Sequence, residues 1–329
     1  MKVGLVIGRF QPLHNGHVDL IQRAYEENDV VLVLVGSANE LPNYKNPFPT
    51  EDRISMIEHE FPEYDRLHIK GLDNYPSDNE WIEDVISRVN TIEEDPSKVT
   101  LYTSEKDEDF YRANFLYTTK VTESAGLNAT DIRESIYNDG SKWMMKVSSF
   151  VEDFVDNWIV SGEWKRLRDE YFLCTTSKAT ATSNHEYSNP IEPVCHAMVI
   201  QGDKCLLVKR GGVRGHGQWA LSGGFLENTE TTRAGALREL KEETALDLLT
   251  IPRAAEVAFA VEENMNGLST RTIGFNYCYA VHPDEEINVT AGDDAQEVAW
   301  FSVKDIVEGK IPLFYNHVTI IRRLVQGIK

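Results

Sequence analysis

The sequence has little cysteine, no long apolar run and few basic residues for its length. Its four cysteines form no Cys-x-x-Cys pair, which argues against a zinc site or a disulfide framework and favours reduced, buried thiols. No apolar stretch approaches the length that spans a membrane, and the N-terminal residues lack the apolar core and cleavage site of a signal peptide. These absences predict a cytoplasmic protein with no contact to a membrane.

Acidic residues outnumber basic ones, with 53 Asp and Glu against 33 Lys and Arg and a formal net charge of −20. The excess is larger in residues 1–172 than in the remainder. Such a chain is a poor non-specific binder of nucleic acid, because neutralising phosphates supplies most of that affinity. Small phosphorylated ligands remain compatible with it, given local arginines, backbone amides and a divalent metal. The sequence leaves formation of a homo-oligomer open.

The chain's 329 residues are enough for two domains that each bury a core. The composition changes at residues 175–190, a polar stretch rich in Thr, Ser and Asn that is typical of a linker or an extended crossing segment. We therefore predict a first domain at 1–172, a linker at 173–192 and a second domain at 193–329.

The first half alternates apolar runs with segments of helical spacing, which predicts an α/β fold with an open, mostly parallel sheet and helices on both faces. The predicted strands are Val3–Ile7, Val30–Val35, Arg66–Leu72 and Val99–Thr103, and the predicted helices are His17–Glu27, one capped by Thr50 and ending near Glu60, Asp78–Ile92 and Phe150–Leu167. The second half predicts a layered α+β domain. Its strands are expected at Pro193–Ile200, Lys204–Lys209, Ala254–Val261, Arg271–Val281 and Glu297–Phe301, and its helices at Thr231–Glu243 and Tyr315–Val325.

A loop rich in Gly and His, GRFQPLHNGH at residues 8–17, lies between the first predicted strand and helix. In an open parallel sheet, ligands bind beyond the carboxyl ends of the strands, and a helix N-terminus there offers free amides and partial positive charge to phosphate. Gly8 and Gly16 allow the backbone to approach a ligand closely. His14 and His17 are three residues apart, so a short turn can aim both rings at one phosphate chain and stabilise charge that builds on a phosphoryl group.

This loop resembles the HxGH signature of the nucleotidyltransferase superfamily, and its wider run is similar to the archaeal-type nicotinamide-mononucleotide adenylyltransferases. The resemblance covers roughly residues 1–170 and implies a Rossmann-like sheet that transfers AMP from ATP to nicotinamide mononucleotide (NMN), giving NAD and pyrophosphate. No protein nucleophile is needed, because positioning and charge stabilisation with Mg²⁺ carry such a reaction. The resemblance marks as catalytic His14 and His17, and as nucleotide-binding Gly8, Arg9, Phe10 and Gly16.

A second element of this family, of the type Ser-Thr-x-x-Arg, has a counterpart at residues 128–133, which read NATDIR. Asn128 replaces the usual Ser. The resemblance implies that Thr130 caps a helix and touches phosphate, and that Arg133 neutralises the β- and γ-phosphates of ATP. Arg133 is therefore a predicted catalytic residue.

Two further segments extend the resemblance. Asn46 and Arg53 follow the second strand, and both are expected near the substrate; for Arg53, a place in the phosphate site and a solvated position on a helix are the two alternatives. Trp81 matches the position where the family stacks an aromatic ring on nicotinamide, which suits a flat, cationic ring. A place for Trp81 in the core between helix and sheet is the alternative.

The second half carries the pattern Gly-x5-Glu-x7-Arg-Glu-Leu-x-Glu-Glu-x-Ala-Leu at residues 224–246. Glu239, Glu242 and Glu243 stand at i, i+3 and i+4, so their carboxylates share one face of a helix. Crowded carboxylates repel one another unless cations lie among them, and hard divalent metals such as Mg²⁺ or Mn²⁺ bind oxygens of this kind. Arg238 is expected to pair with a neighbouring carboxylate and fix its orientation.

The pattern resembles the Nudix box at every fixed position except 245, where Ala stands in place of Gly. The resemblance covers about residues 193–329 and implies metal ions that bridge a diphosphate and activate water for attack on phosphorus. It marks as metal ligands Glu239, Glu242, Glu243 and the carbonyl of Gly223, as catalytic residues Glu242, Glu243 and Glu297, and as nucleotide-binding residues Arg210 and Trp219. Glu262 and Glu263 compete with Glu297 for the role of additional ligand or general base.

Fusion to a domain that forms NAD points to ADP-ribose as the hydrolysed substrate, by association rather than from the residues. The predicted small-molecule partners are NMN, ATP, NAD and ADP-ribose. Two alternatives stay open. The first half adenylylates or cytidylylates another phosphate acceptor, or the second half acts on another nucleoside diphosphate derivative or serves as a nucleotide sensor. A sensor is expected to lose the carboxylates of the box, whereas Glu239, Glu242 and Glu243 are all present.

Overall fold

Short apolar runs become the strands of a parallel sheet in the first part of the chain. The computed structural model describes residues 1–75, 77–122, 127–181, 191–264 and 271–328. The chain divides into two compact units, Met1–Arg168 and Asp169–Lys329. None of the described helices is both long and apolar enough to cross a membrane.

The sheet of the first unit has five strands in the order β3-β2-β1-β4-β5, and every pairing between neighbours is parallel. Alternate residues of β2 face opposite sides: Val31 and Val33 belong to one apolar cluster, and Leu32 and Leu34 to the other. The strands are β1 (Val3–Gly8), β2 (Val30–Val35), β3 (Leu67–Gly71), β4 (Val99–Ser104) and β5 (Thr118–Thr122). The predicted open parallel sheet is confirmed.

Helices cover both faces of this sheet, because each apolar cluster needs a partner layer. The helices are α1 (Asn15–Glu27), α2 (Thr50–Glu60), α3 (Asp78–Asn90), α4 (Glu108–Asn114), α5 (Ala129–Tyr137), α6 (Ser149–Ile159) and α7 (Gly162–Ala181). Helices α1, α2 and α6 pack on one face, and α3 packs on the other. The chain leaves β1 toward β2 on one side, and β4 lies on the other, so the loop after β1 emerges at the point where the strand order reverses.

Two helix predictions near the end of this unit need correction. The single helix expected at 150–167 is two helices, α6 and α7. The chain turns at Val160, and the Oγ atom of Ser161 accepts a hydrogen bond from the backbone N of Trp164 at 3.2 Å, which caps α7. Helix α7 then continues through Ala181, so the first part of the predicted linker is helical, and the rest of that linker to residue 190 lies outside the described residues.

The second unit is built on a mixed sheet with the main order β10-β11-β6-β7-β12, in which β8 pairs with β7 and β9 with β6. Strands β6 and β11 run parallel, and the other pairs are antiparallel. The elements are β6 (Ile191–Gln201), β7 (Lys204–Arg210), β8 (Trp219–Ala220), β9 (Ser222–Phe225), α8 (Thr232–Thr244), β10 (Ala254–Asn264), β11 (Arg271–Val281), β12 (Ala295–Ser302), α9 (Val303–Val307) and α10 (His317–Gly327).

Helices α8 and α10 pack on opposite faces of this sheet. Ala236 and Leu240 of α8 join one apolar cluster, and Ile320 and Leu324 of α10 join the other. The Thr231 side chain caps α8 by accepting a hydrogen bond from the backbone N of Ala234 at 3.2 Å. The predicted α+β layering is confirmed, and it places the carboxylate-bearing helix on a rigid sheet.

Candidate active sites

The two histidines of the first unit lie at the start of α1, directly beyond the carboxyl end of β1. The carbonyl of His14 accepts hydrogen bonds from the backbone N atoms of His17 and Val18, at 2.8 and 3.1 Å. This turn stacks the imidazole rings of His14 and His17, whose centroids are 3.6 Å apart with an angle of 20° between the ring planes. The expectation that a short turn brings both rings together is confirmed.

Both imidazoles are neutral near pH 7 in this environment. Burial lowers the pKa of His14 to about 4, with a smaller contribution from the positive charges of Lys146 and Arg133. Burial also lowers the pKa of His17 well below 6.5, and His14 adds to the effect. The Nδ1 atoms of both rings are buried, and within the described residues neither has a hydrogen-bond partner. Two unpartnered ring nitrogens at a helix N-terminus suit a ligand that brings its own polar atoms.

Phe10, Gly8 and Gly16 determine the shape of this loop. Phe10 has a φ of 51° and is almost fully buried, with its ring edge-on to His17 at 4.8 Å between centroids. A Cβ atom on Gly8 would lie 3.0 Å from the Phe10 ring, and one on Gly16 would lie 3.3 Å from the His14 ring. Burial makes the Phe10 side chain a support for His17, and contact between Phe10 and the nucleotide stays a prediction.

Arg53 is buried, and it holds the loop in place. Its guanidinium donates to the carbonyls of Arg9 at 2.8 Å, Gly36 at 2.5 Å, Ser37 at 3.2 Å and Pro49 at 3.3 Å. The remaining donor reaches the Thr50 hydroxyl at 2.9 Å. The solvated alternative for Arg53 is wrong, because all of its donors are occupied by protein oxygens, and its support of a phosphate site stays a prediction.

Thr50 itself is not a cap. It is the first residue of α2, where Pro49 holds the cap position without a side-chain bond.

Arg9 is exposed, and a chain of polar side chains orients it. Its Nη1 donates to the Oδ1 of Asn46 at 3.1 Å, and the Nδ2 of Asn46 donates to the carboxylate of Glu40 at 2.6 Å. The other oxygen of Glu40 accepts from the Nδ2 of Asn74 at 2.5 Å. Asn46 therefore lies beside the site as predicted, and its amide contacts Arg9.

Arg133 brings a second positive charge to the loop from α5. Its Nη1 donates to the carbonyl of Gln11 at 2.7 Å, and its Nη2 donates to the Thr130 hydroxyl at 3.2 Å. Burial, followed by repulsion from Arg9, lowers the pKa of Arg133 to about 10, so it stays charged at pH 7. The predicted cap is wrong: the Oδ1 of Asn128 accepts from the backbone N of Asp131 at 2.8 Å, and Thr130 lies inside the helix.

A cavity of about 410 Å³ opens beside this loop, at the carboxyl ends of β1 and β2. Its wall includes Gly8, Arg9, Tyr75, Trp81 and Phe110. Trp81 packs against Phe110 with 5.9 Å between ring centroids, and it also contacts the apolar cluster under the sheet. The place of Trp81 in the core is confirmed, and its stacking on nicotinamide stays a prediction for a residue that also lines the cavity.

The carboxylate-bearing helix of the second unit has an arginine at its centre. Arg238 forms a two-point ion pair with Glu230, with 2.8 Å from Nη2 to Oε1 and 3.1 Å from Nε to Oε2. Its Nη1 reaches the carboxylates of Glu239 at 2.8 Å and Glu242 at 2.9 Å. The predicted orienting role of Arg238 is confirmed.

Comparison with known proteins agrees with this geometry. A family model described as Cytidylyltransferase-like matches residues 5–173, and the NUDIX domain model matches residues 192–324. The chain belongs to the cytidylyltransferase-like family and carries a NUDIX domain.

A curated relative and two crystal structures extend the match. The nicotinamide/nicotinic acid mononucleotide adenylyltransferase of Acinetobacter baylyi is 33% identical over 174 residues, which are 50% of this chain and 90% of that protein. The bifunctional NMN adenylyltransferase/ADP ribose pyrophosphatase of Francisella tularensis is 25% identical and covers 99% of this chain and 98% of its own, with a TM-score of 0.83. A second structure of that protein, complexed with AMP and Mn ion, has a TM-score of 0.82 and the same identity and coverage.

Glu243 is the most buried carboxylate of the NUDIX helix. Burial raises its pKa to about 7, although the backbone N of Gly223 donates to its Oε2 at 3.0 Å. Glu239 is also buried enough to have a raised pKa, and repulsion from Glu242 and Asp293 adds to the shift. A Cβ atom on Gly224 would lie 2.4 Å from the Glu239 carboxylate, so only glycine leaves room for it.

The oxygen donors of this cluster fit a hard divalent cation. Across the described ranges, no three His, Cys, Asp or Glu side chains lie close enough to hold a metal by themselves. Mg²⁺ is commonly bound by one or two carboxylates together with substrate phosphates and water. Burial raises the pKa values of Glu239 and Glu243, and neighbouring carboxylates add to the shift, so a cation shared with a diphosphate would stabilise their charged forms.

A cavity of about 550 Å³ lies beside Gly223 and Gly224, which contact the helix carboxylates, and its wall also includes Arg210, Glu262 and Asp294. Arg210 lies over the Phe314 ring, with 4.3 Å from its guanidinium carbon to the ring centroid, and its contact with a ligand stays a prediction. Burial lowers the pKa of Arg210, whereas Asp294 and Glu243 raise it.

Two predicted residues lie elsewhere. Trp219 is half-buried and packs edge-on to Phe301 at 4.6 Å between ring centroids, against an apolar cluster. Glu297 lies on the exposed side of β12 and pairs with Lys209 at 3.4 Å. The cavity wall includes Glu262 instead, and Glu262 forms an ion pair with Arg323.

Several residues that the fold brings to these sites have no signal in the sequence. His196 and His317 both line the larger cavity, and they come from β6 and α10, more than one hundred residues apart. Lys146 lies within electrostatic range of His14 although it follows the HxGH loop by more than one hundred residues. Only the sheet topology connects such positions, and no local motif marks them.

Proposed function

We propose that the chain is a bifunctional enzyme of NAD metabolism. Residues 1–172 transfer AMP from ATP to NMN, giving NAD and pyrophosphate, and residues 193–329 hydrolyse ADP-ribose to AMP and ribose 5-phosphate. The observation that carries the proposal is the likeness over the whole chain to a structure of that bifunctional type, with both constellations intact. Mg²⁺ or Mn²⁺ is the proposed metal for both reactions.

The first reaction is an in-line displacement at phosphorus. A phosphate oxygen of NMN bonds to the α-phosphorus of ATP, and the bond from that phosphorus to the bridging oxygen breaks as pyrophosphate leaves. His14 and His17 face the phosphate chain with neutral rings, and Arg133 and Arg9 supply positive charge to the departing oxygens. The aromatic wall around Trp81 suits a flat, cationic nicotinamide ring and favours NMN over other phosphate acceptors.

The second reaction transfers one phosphoryl group of a diphosphate to water. A metal bound by Glu239, Glu242, Glu243 and the Gly223 carbonyl would activate the water and polarise the phosphates. The water oxygen bonds to phosphorus, the bridging P–O bond breaks, and the water gives up a proton to a base. Arg238 keeps Glu239 and Glu242 oriented, and Arg210 offers positive charge to the diphosphate. The presence of all box carboxylates supports hydrolysis over a sensor role.

Product analysis of the purified protein with Mg²⁺ tests both halves. We expect NAD and pyrophosphate from NMN plus ATP, and AMP and ribose 5-phosphate from ADP-ribose. His17→Asn is expected to abolish only the first reaction, and Glu243→Gln, which keeps an oxygen for the Gly223 amide, only the second. ADP-ribose that binds but is not cleaved by the wild-type protein would contradict the hydrolase half and favour a sensor.

A further inference from the structure

Two histidines form part of the wall of the NUDIX cavity outside the carboxylate cluster. His196 lies on β6 and His317 begins α10. Their rings meet edge to face, with 5.0 Å between centroids and an angle of 77° between planes. His317 is only 5% exposed, which is unusual for a polar side chain at a cavity that opens to solvent.

The hydrogen bonds around His317 determine its tautomer. Its Nδ1 accepts a hydrogen bond from the backbone N of Leu221 at 2.9 Å, so this nitrogen carries no proton. Burial lowers the pKa of His317 well below 6.5, and the ring is therefore neutral at pH 7. A neutral imidazole whose Nδ1 has no proton carries its proton on Nε2. His317 thus offers a donor at Nε2.

His196 has the opposite tautomer, because Asn276 fixes it. The Nδ2 of Asn276 donates to the carbonyls of Gly274 at 3.2 Å and Ala260 at 3.3 Å, which identifies its other atom as the oxygen. That oxygen lies 2.9 Å from the Nδ1 of His196, which must carry the proton. With its proton on Nδ1, the neutral ring of His196 has a lone-pair acceptor at Nε2.

Neither Nε2 atom has a hydrogen-bond partner within the described part of the chain. The pair therefore presents one acceptor and one donor without a protein group to satisfy them. Neither Nε2 atom is fully buried, so water or a ligand in the cavity can pair with it.

The pair lies next to the proposed catalytic carboxylates. His196 faces Gly223 across the β6–β9 ladder, and a Cβ atom on Gly223 would lie 2.5 Å from the His196 ring. The backbone N of the same glycine donates to Glu243. On the other side, Phe314 contacts His317 with 5.6 Å between ring centroids and carries Arg210 over its face. The histidines thus adjoin the place where a diphosphate would lie.

We propose that His196 and His317 recognise ribose hydroxyl groups beside the diphosphate, a specificity role that rests on the proposed hydrolase function. The neighbouring hydroxyls of a ribose each donate and accept, so they suit both the lone pair of His196 and the N–H of His317. A phosphate oxygen only accepts and would leave His196 unsatisfied. Each of the two riboses that flank the diphosphate has this chemistry, and substrates that lack one or the other distinguish between them.

Matched substitutions separate recognition from support of the fold. His317→Asn places an oxygen near Nδ1 for Leu221 and removes the Nε2 donor, whereas His317→Gln keeps a donor near Nε2 and removes the partner of Leu221. In the same way, His196→Asn keeps a polar group near Nδ1 for Asn276 and removes the Nε2 acceptor, whereas His196→Gln keeps an acceptor near Nε2 and removes the partner of Asn276. Three substrates are compared by kcat/KM: ADP-ribose, the methyl ester of ADP, which lacks the terminal ribose, and the ADP-ribose analogue built on 2′,3′-dideoxyadenosine.

We expect the wild-type protein to prefer ADP-ribose about 10-fold or more over the analogue that lacks the recognised ribose, the size of effect that a buried, unsatisfied polar group produces. The Asn variants are expected to lose that preference through a raised KM, and the Gln variants to keep most of it at a lower melting temperature. Equal losses on all three substrates, or an unchanged preference in the Asn variants, would overturn the proposal. If the wild-type protein binds ADP-ribose without cleaving it, that result contradicts the proposed hydrolase function but not ribose recognition. Titration calorimetry with the same three ligands then compares their affinities in place of kcat/KM.

Discussion

Glu230 and Arg238 meet through two nearly parallel hydrogen bonds, with 2.8 Å from Nη2 to Oε1 and 3.1 Å from Nε to Oε2. Because the pair with Glu230 uses Nε and Nη2, the Nη1 of Arg238 is left to donate to Glu239 and Glu242. A planar guanidinium can donate to these three carboxylates at once from fixed directions, and the ammonium group of a lysine cannot.

Arg238→Lys is therefore expected to lower ADP-ribose hydrolysis by about 10-fold or more while NAD formation stays unchanged. The loss reflects carboxylates that are no longer held in place. Steady-state rates of both reactions on one protein preparation measure it. The exposed Arg233, whose ion pair with Glu256 lies outside the cavity wall, provides a matched control as Arg233→Lys. Equal rates for Arg238→Lys and Arg233→Lys would refute the orienting role.

Ala245 ends α8 with a φ of 59°, the left-handed conformation that glycine adopts without strain, and its N–H donates to the carbonyl of Lys241 at 2.9 Å. A left-handed alanine costs about 1 kcal/mol relative to glycine. Ala245→Gly is therefore expected to stabilise the NUDIX unit by about 1 kcal/mol. Denaturant unfolding, followed by a probe placed in this unit, measures the change. Ala245→Val should destabilise it, since a β-branched residue resists this conformation further; a lower stability for Ala245→Gly would contradict the strain.

Arg53 and Arg9 offer a second matched pair. Replacing the buried Arg53 by Met leaves several carbonyls without donors, and we expect a loss of about 2 to 4 kcal/mol in the stability of the first unit. NAD formation should fall with it, because the loop is no longer held. Arg9→Met removes an exposed side chain and should raise KM for a phosphorylated substrate at nearly unchanged stability. Similar losses of stability in thermal unfolding of Arg53→Met and Arg9→Met would show that the two arginines do not differ as structural support and ligand contact.

The pH dependence of the first unit follows from its buried imidazoles. Burial lowers the pKa of His14 from 6.5 to about 4, so the unfolded chain takes up this proton first as the pH falls. Its contribution to stability is complete above pH 6.5 and is lost progressively down to about pH 4. We expect His14→Asn to remove about 2 to 3 kcal/mol of the stability difference between pH 7 and pH 4.5. Urea unfolding of the ligand-free protein at both pH values measures this, and an unchanged pH slope in the variant would show that His14 titrates normally.

The strands of the first sheet could be predicted because each is a short, apolar run buried on both faces, as at Val30–Val35. The β5 strand escaped prediction, since Thr118–Thr122 is polar and lies at the edge of the sheet. The helix break at Val160 was missed for a related reason: the apolar spacing continues through it, and the capping serine is an ordinary surface residue in the sequence.

Site residues within one motif could be predicted, because spacing alone brings them together. His14 and His17, or Glu239 and Glu243, need only a turn or a helix. Residues that depend on tertiary contacts could not, and Arg53 shows why. A basic residue after two acidic ones is typical of a solvated helix, and only the positions of the β1 and β2 ends turn it inward.

The attachment of Arg53 also bears on how this protein can evolve. One side chain holds carbonyls at the ends of both β1 and β2, so the shape of the reactive loop and the integrity of the sheet depend on the same bonds. A mutation that loosens the loop there exposes the chain to cellular proteases as well as slowing the enzyme. Quality control in the cell would remove such variants before selection on catalysis could act, and change in this loop is expected to accumulate at positions that Arg53 does not contact.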